Sequence, residues 1–581
     1  MSASRTSAVH GLPLPVLVVL LACAVAVADG PPPPPPPPLP EEVVVSVASA
    51  PLHPQIDELI SMASPGFADY AADVCTDAEF VRRVSLDLAG TIPSAGVTRE
   101  FLADATPTAQ KREQLIDRLL ASPQHARRMQ YVFDEMLMER RPGTTIPVAE
   151  WQNWLQQAFL DNKPWNQLVQ DVLAADGVDK EKRPAAKFYL DRNFDVDLIT
   201  RDVGRVFLGV DLECAQCHDH PSIDGYLQRH YYGITAFLKR SYLFTDPKSK
   251  QKVLGEKAEG DVKFTSVFTQ EEGATPPRLL NLPAITDPKG TEKQYEVKPD
   301  GKHRGVPKYS RRLQLAVAMI STDNIDFRRN IVNRLWAIMM GRGLVEPLDL
   351  RHADNPPTHP QVLDLLADEF LSHNYDVRWL LRELALSETY QRGSRTQTKS
   401  DVAATDYSSS LLKSLSPEQL AWSLMEASGV TNQTLAAQQA ALLKSDPKNG
   451  PTKKDDPLWQ EEALHKTLQP HVDQFALQFA HQGGQKTGFE STANQALFLI
   501  NGALVQSWLT PANGNLTDRL RNLDDNAAVA EELYISLLNR IPTGDEVAEV
   551  TAYLDAVSER DPAIQEIVWA VLASAEFRFN H

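Results

Sequence analysis

Cysteine is scarce in this chain. Cys23, Cys75, Cys214 and Cys217 are the only four in 581 residues, which excludes a fold stapled by a disulfide framework. Positive charge is also short, with 58 Lys and Arg against 76 Asp and Glu for a formal net charge of −18. No basic stripe interleaved with aromatics occurs, so nucleic acid is excluded as a partner. Beyond the N-terminal segment no unbroken apolar run reaches membrane-spanning length, since even Ile331 to Met340 is interrupted by Asn333 and Arg334. The mature chain is therefore expected to lack a transmembrane span. A phosphate-cradling loop is missing too: "GRGLVEP" and "NPPTHP" offer Gly341, Gly343, Pro356 and Pro357 for tight turns, but no lysine and no preceding strand. No Ser-His-Asp order or carboxylate pair stands out, because such sites are recognised by geometry.

The N-terminus carries one early arginine, Arg5, then an apolar run from Leu12 to Val27 that ends in Ala26-Val27-Ala28. This is the pattern of an export signal cleaved after Ala28, and it predicts a mature chain that starts at Asp29 in a periplasmic or cell-surface location. Leu20-Leu21-Ala22-Cys23 approximates a lipoprotein box and keeps open a lipid anchor at Cys23. The eight prolines Pro31 to Pro38 have no backbone donors and a fixed φ, and predict an extended polyproline spacer about 25 Å long at about 3.1 Å per residue.

Leu-, Ala- and charge-rich helical patterns outnumber β-branched runs, which predicts a mainly α protein. From Asp77, Phe80, Val84 and Leu88 recur at four-residue steps, stop at Gly90 and restart after Pro93-Ser94; Leu115, Ile116, Leu119 and Leu120 mark a further helix. The C-terminal stretch repeats the plan of helix, Arg540-Ile541-Pro542, helix, and ends in Leu572-Ala573-Ser574, an echo of Leu120-Ala121-Ser122. Trp336, four residues after Val332 and three before Met339, is expected in a core. Between Phe244 and Lys308 the composition turns to Lys, Glu, Gly, Pro and Thr. "QKVLG" and "DVKFTSVF" around Glu259-Gly260-Asp261 predict one small β-hairpin in an irregular insertion. Lys444 to Asp456 reads as a mobile polar loop. The expected architecture is a signal peptide over 1–28, a proline-rich linker over 29–50, a helical domain over 51–243, a polar, partly β insertion over 244–307 and a second multi-helical domain over 308–581.

The chemistry concentrates in "ECAQCHDHP", Glu213 to Pro221. Ile199, Val203, Val206, Phe207 and Val210 form one helical face just upstream, which puts the cysteines at or beyond a helix end. In a helical turn, residues three apart face the same side with Cβ atoms about 5–6 Å apart. Cys214 and Cys217 are then placed to add to the two vinyl groups of one haem c, with His218 as the proximal ligand of its iron. Three other readings stay open: a Cys214–Cys217 disulfide, a zinc staple of Cys214, Cys217 and His220 with a remote fourth ligand, and an unmodified loop. His220, His230, His303, Met319, Met339 and His359 are candidates for a sixth haem ligand, and none is assigned. Pro221 holds His220 extended, two residues from His218. Cys75 has no His or Cys beside it and reads as a buried structural thiol. Asp349, Arg351, His352 and Asp354 crowd one loop, either as a polar pocket or as a solvated surface.

Several stretches together resemble an exported planctomycete-type family, in which a cytochrome-c-like CxxCH domain precedes a planctomycete-specific domain, catalogued as domains of unknown function 1549 and 1553. "FVRRVSLDLAGTIPS", "DVGRVFLGVDLECAQCHDHP" and "YYGITAFL" are similar to the first domain. "NIVNRLWAIMMGRGLVEPLDLRHADNPPTHPQVLDLLADEF", "LALSETYQR", "NQALFLINGALV" and "LASAEFRFNH" are similar to the second. The resemblance runs from about Asp77 to His581; it departs at His230, where an acidic residue is common, and in lacking an arginine-rich lead-in before "SLSPEQLAWSL". It implies export and haem-type chemistry without a substrate. Two functions follow as expectations: a redox protein with one covalent haem that exchanges electrons with a partner protein, or an exported binding or scaffolding protein, with polysaccharide as a candidate ligand, in which CxxCH is a disulfide or metal staple.

Overall fold

The computed structural model describes residues 50–291, 293–395, 403–480 and 492–581. The signal segment, Cys23 and the Pro31–Pro38 tract lie outside the described residues. Among those described, the chain forms 27 α-helices and four two-stranded sheets, a mainly α protein with a small β insertion, as expected. No described helix is long and apolar enough to cross a membrane.

Local rules set the helix ends. The helix Asp77–Ala89 starts where the Thr76 hydroxyl accepts from the Glu79 amide, an N-cap that satisfies an orphan donor. It stops at Gly90, whose φ of +75° and close approach to Arg128 suit a residue without Cβ. Ser94 then caps the helix Ala95–Ala103 and Ser122 caps Pro123–Met138, where proline occupies the first turn.

Two apolar cores result. The first draws on Leu52 through Tyr407 and includes Phe80, Trp151, Trp165, Phe207 and Trp336. It runs without a break across the insertion: Trp165 stacks on Phe327 at 6.0 Å and 10°, and joins helix Trp165–Ala174 to helix Ile325–Met340. Trp336 lies on that second helix at 0% exposure, as its spacing predicted. The second core draws on Leu420 through Phe577 and takes Leu86, Ile92 and Tyr131 from the N-terminal helices. The helices Asn526–Leu538, Gly544–Ala556 and Arg560–Ala573 form its C-terminal part, with Arg540-Ile541-Pro542 at the turn between the first two.

The insertion differs from its expected form. β1 (Ser241–Thr245) pairs antiparallel with β2 (Lys252–Glu256), β3 (Val262–Thr265) with β4 (Glu272–Thr275), and β5 (Tyr295–Val297) with β6 (Val306–Pro307), so three strand pairs stand where one hairpin was expected, and Glu259-Gly260-Asp261 connects the first two. The cause is visible at both places. The Asp246 carboxylate accepts from the Lys248 and Ser249 amides and closes the β1–β2 turn. Arg240 and Arg311 donate to the Gly260 carbonyl, and hold the connecting segment away from a sheet. The stretch Lys444 to Asp456 is not a loop throughout: helix Val430–Ser445 runs into it, Gly450–Lys453 forms one helical turn, and Asp456 caps helix Pro457–Phe479. Local Asp and Asn side-chain bonds organise the segment that its polarity marked as loop.

Candidate functional site

The helix Val196–Val203 ends in a π-turn over Gly204–Leu208, closed by Gly209 at a φ of +67°. Ile199, Val203, Val206, Phe207 and Val210 are all buried, so the predicted face is the one that packs. After Gly209, residues 211–225 run along the surface with Leu212, Ala215 and Ile223 anchored in the first core, and Cys214–Gln216 form a single 3-10 turn. Cys214 and Cys217 are exposed free thiols. The amides of Cys217 and His218 both donate to the Cys214 carbonyl, at 3.3 and 3.4 Å, and hold the two cysteines and the histidine on one turn.

His218 is oriented by its neighbours. Its Nδ1 lies 2.7 Å from the Asp219 carbonyl, which selects the tautomer with hydrogen on Nδ1 and a lone pair on Nε2. Its ring packs at 4.5 Å from Phe268, at the tip of the β3–β4 hairpin. The same tip is tied to the motif by the Val267 amide, which donates to the Cys217 carbonyl at 3.1 Å. Helix Gln228–Leu238 supports both pieces. Its Tyr232 hydroxyl donates to the Gln216 carbonyl at 3.0 Å, and the Tyr232 ring stacks on Phe264 of β3 at 4.6 Å and 3°. Gly273 of β4 has no room for a Cβ, which would meet the Phe264 ring at 2.4 Å. The Asp219 carboxylate accepts from the Gln228 amide at 2.7 Å. Between hairpin and helix a cleft of 340 Å³ is lined by His218, Gln228, Arg229, Phe264, Phe268 and Glu272, among others.

These residues fit a covalent haem c in donor chemistry. Two thiols stand on the surface, and a metal-ligating histidine is commonly held through its other ring nitrogen by a carbonyl, as His218 is. Among the described residues no three His, Cys, Asp or Glu side chains converge as a metal-ion site. None of the six sixth-ligand candidates lines the cleft. His220 Nδ1 accepts from the Ser222 amide and its ring meets Tyr226 edge-on at 5.9 Å. His230 faces the Gly225 carbonyl, and His303 faces Asp300. His359 packs beside Tyr407, while Met319 and Met339 are buried in the first core. Burial lowers the pKa of both His230 and His359. Cys75 is buried, as expected, and burial pushes its thiol pKa up.

For two stretches that the sequence did single out, the link to the CxxCH turn escaped sequence reasoning. The β3–β4 tip is one; Phe268, 74% exposed and aromatic in a polar insertion, was its only signal. The other is the loop after helix Ile325–Met340. Its cluster of Asp349, Arg351, His352 and Asp354 is not a solvated surface throughout. Arg351 pairs with buried Asp326 at 2.9 Å, its amide donates to the Gly209 carbonyl at 3.1 Å, and its carbonyl accepts from the Tyr226 hydroxyl at 2.9 Å. His352 meets Tyr226 edge-on at 6.0 Å, and Asp354 remains exposed.

Residues 55–242 match the family model PSCyt2, described as a protein of unknown function (DUF1549), and residues 311–554 match the model PSD1, a protein of unknown function (DUF1553). No curated protein matches the chain, and no solved structure does. The first matched region holds the CxxCH turn and the second holds the loop that bonds to its flanks. The chain thus belongs to the two-domain family in which a PSCyt2 region is followed by a PSD1 region.

Proposed function

We propose that this is an exported redox protein that carries one haem c on Cys214, Cys217 and His218 and exchanges electrons with a partner protein. One observation carries the reading: two free, exposed thiols and a histidine share a single surface turn, with His218 Nδ1 held by the Asp219 carbonyl so that Nε2 keeps its lone pair. Cys214 and Cys217 would hold the group, each Sγ–H adding across one vinyl group with sulfur on one carbon and hydrogen on the other, so that no atom would be lost. His218 would hold the iron through Nε2. When bound, the group supplies a one-electron iron couple whose potential depends on axial ligand and burial. Phe264 and Phe268 give the cleft an apolar wall, while its open rim, with Arg229 and Glu272, leaves an edge for a partner to approach. A cleft of 340 Å³ lies at the small end of ligand pockets, about 300–1,000 Å³; His218 lines it while Cys214 and Cys217 stand outside its lining, so it would take only an edge of a large planar group. Export is supported by the run Leu12 to Val27 and by Ala26-Val27-Ala28, and places the thiols where oxidising maturation takes place.

The test is expression in a host with haem c maturation machinery. The expected protein begins at Asp29, is coloured, and keeps the full added mass of one haem through acid-acetone extraction. Cys217→Ala leaves at most one weak attachment, and His218→Ala changes the visible spectrum. A colourless exported protein two hydrogens lighter than the reduced chain identifies a disulfide, and retained zinc identifies a staple; either overturns the proposal in favour of a binding or scaffolding role.

A further inference from the structure

The surface excursion that bears CxxCH leaves the body at Gly209-Val210 and returns at Tyr226, and both roots end on the same dipeptide of the PSD1 region. On the outgoing side the Arg351 amide donates to the Gly209 carbonyl at 3.1 Å, and Val210 forms an antiparallel bridge with Leu350. On the returning side the Tyr226 hydroxyl donates to the Arg351 carbonyl at 2.9 Å, and the Tyr226 carbonyl accepts from the His220 amide at 2.8 Å, two residues from His218. The Arg351 side chain locks this dipeptide in place, through Asp326 at 2.9 Å and the Leu208 carbonyl at 3.4 Å. The π-turn behind the outgoing root is gripped by the same region. Asn330 Nδ2 donates to the Val206 carbonyl at 2.7 Å and Arg334 donates to the Arg205 carbonyl at 2.8 Å. A Cβ on Gly209 would stand 2.8 Å from Asn330 Oδ1, so the grip also demands glycine there.

A π-turn carries one residue more per turn than an α-helix and recurs where a helix is adapted to a site. Here its carbonyls, which lie in the last turn where a helix leaves its C=O groups without an internal partner, are taken by side chains that lie more than a hundred residues later in the chain. Tyr226 and Arg351 touch neither thiol nor His218, so they act through the path of the backbone. We infer that the PSD1 region is the positioning scaffold of the CxxCH turn, with Arg351 and Tyr226 as its positioning residues. The geometry of Cys214, Cys217 and His218 is thereby set by a second domain and not by the PSCyt2 region alone. The haem readout below rests on the function proposed above; the exchange readout does not.

The experiment uses the full chain and the variants Tyr226→Phe, Arg351→Ala and Arg351→Lys. Hydrogen exchange is followed in a host-expressed protein without haem maturation, and the visible spectrum and midpoint potential in matured protein. In Tyr226→Phe and Arg351→Ala, amides over residues 209–227 exchange at least tenfold faster while those of helix Ile325–Met340 stay protected, the potential moves, and Arg351→Lys restores both. Unchanged exchange over 209–227 in folded variants overturns the inference, as does a potential that stays fixed in matured Tyr226→Phe. Should Arg351→Ala fail to fold, Tyr226→Phe, which removes one hydroxyl, decides alone. If every matured protein is colourless, the haem reading fails while the exchange result still stands or falls by itself.

Discussion

The two cores are closed by different forces. The first, from Leu52 to Tyr407, is continuous aromatic and aliphatic packing in which Trp151, Trp165 and Trp336 are fully buried. The second, from Leu420 to Phe577, meets it along helix Asp77–Ala89, and that seam is lined with buried charge. Phe80, Val81, Val84 and Leu88 of this helix point into the first core and Leu86 into the second. Between them Arg82 donates to the Leu537 and Phe577 carbonyls and Arg83 to those of Tyr390, Arg392 and His581. Asp87 accepts from Lys413, Tyr390 and Asn580 at 2.6 to 2.9 Å. Burial lowers the Arg82 pKa to about 10 and lowers that of Lys413. Non-directional packing tolerates shape changes that conserve volume, whereas charges removed from water require every partner. Contact by packing makes the first core deep, and contact by hydrogen-bonded charge makes the seam specific.

The largest effect is expected where the first core is cut. Trp336→Ala removes a fully buried indole and should cost about 3–5 kcal/mol in a denaturant titration. A loss below about 0.5 kcal/mol would mean that this core is not closed by packing. At the seam, Lys413→Met leaves Asp87 buried with two neutral donors, Tyr390 and Asn580. Breaking one partner of such a pair costs about 3–5 kcal/mol, and the surviving donors place this case near about 3 kcal/mol. Thermal unfolding followed by tryptophan emission reads it; an unshifted midpoint would show that the charges are not needed to join the cores.

How much of this was legible follows from the same contrast. Helices and first-core residues could be read because their signal is local: Ile199, Val203, Val206, Phe207 and Val210 recur on one face and are all buried. The CxxCH turn was legible as a motif and as a position just past a helix end. The seam was not. Arg82, Arg83 and Asp87 stand in plain view in "FVRRVSLDLAG", but apart from the Arg83–Glu79 ion pair their partners at the seam are 303 to 498 residues away, and nothing near them announces burial. The same holds for Arg351 and Tyr226, 125 residues apart. β2 and β3 are adjacent alternating segments, which favoured pairing them with each other. Two arginine bonds to the Gly260 carbonyl, invisible to alternation, decide otherwise.

Acid should weaken both sides of the comparison. His125, under helix Asp77–Ala89 with Nδ1 at 2.9 Å from the Leu88 carbonyl, has its pKa lowered to about 4 by burial. His465, beside the buried Arg127–Glu461 pair, is also lowered to about 4, by burial and by Arg127. A histidine held neutral in the fold binds fewer protons than it does unfolded. Its contribution is therefore complete above the unfolded pKa of about 6.5 and is lost as pH falls towards 4. For fully buried His125 the loss is about 3 kcal/mol across that window. Urea midpoints at pH 7 and pH 4.5 measure it, and His125→Gln should flatten the slope; a slope unchanged in that variant would assign the acid sensitivity elsewhere.

The smallest effect tests the seam at its outer edge. Helix Pro417–Ser428, which carries Leu420, Trp422 and Leu424 into the second core, begins with a capping box: Ser416 Oγ accepts from the Gln419 amide at 3.2 Å, and Gln419 Oε1 accepts from the Ser416 amide at 3.0 Å. Gln419 then uses its Nε2 to reach the Leu86 carbonyl at 2.7 Å, so one side chain caps the second-core helix and binds it to the helix that divides the cores. Ser416→Ala removes the hydroxyl but leaves Gln419 its bond to Leu86, and should cost about 1 kcal/mol, the usual worth of a serine N-cap. Gln419→Ala keeps the Ser416 hydroxyl on its backbone amide but removes the side-chain bonds to the Ser416 amide and to the Leu86 carbonyl, which retains the Gly90 amide, so its cost should exceed that of Ser416→Ala by about 0.5–1.5 kcal/mol. Chemical denaturation of the two variants side by side makes the measurement. Equal costs would mean that the link to Leu86 contributes nothing and that the second core is held to the first by the buried charges alone.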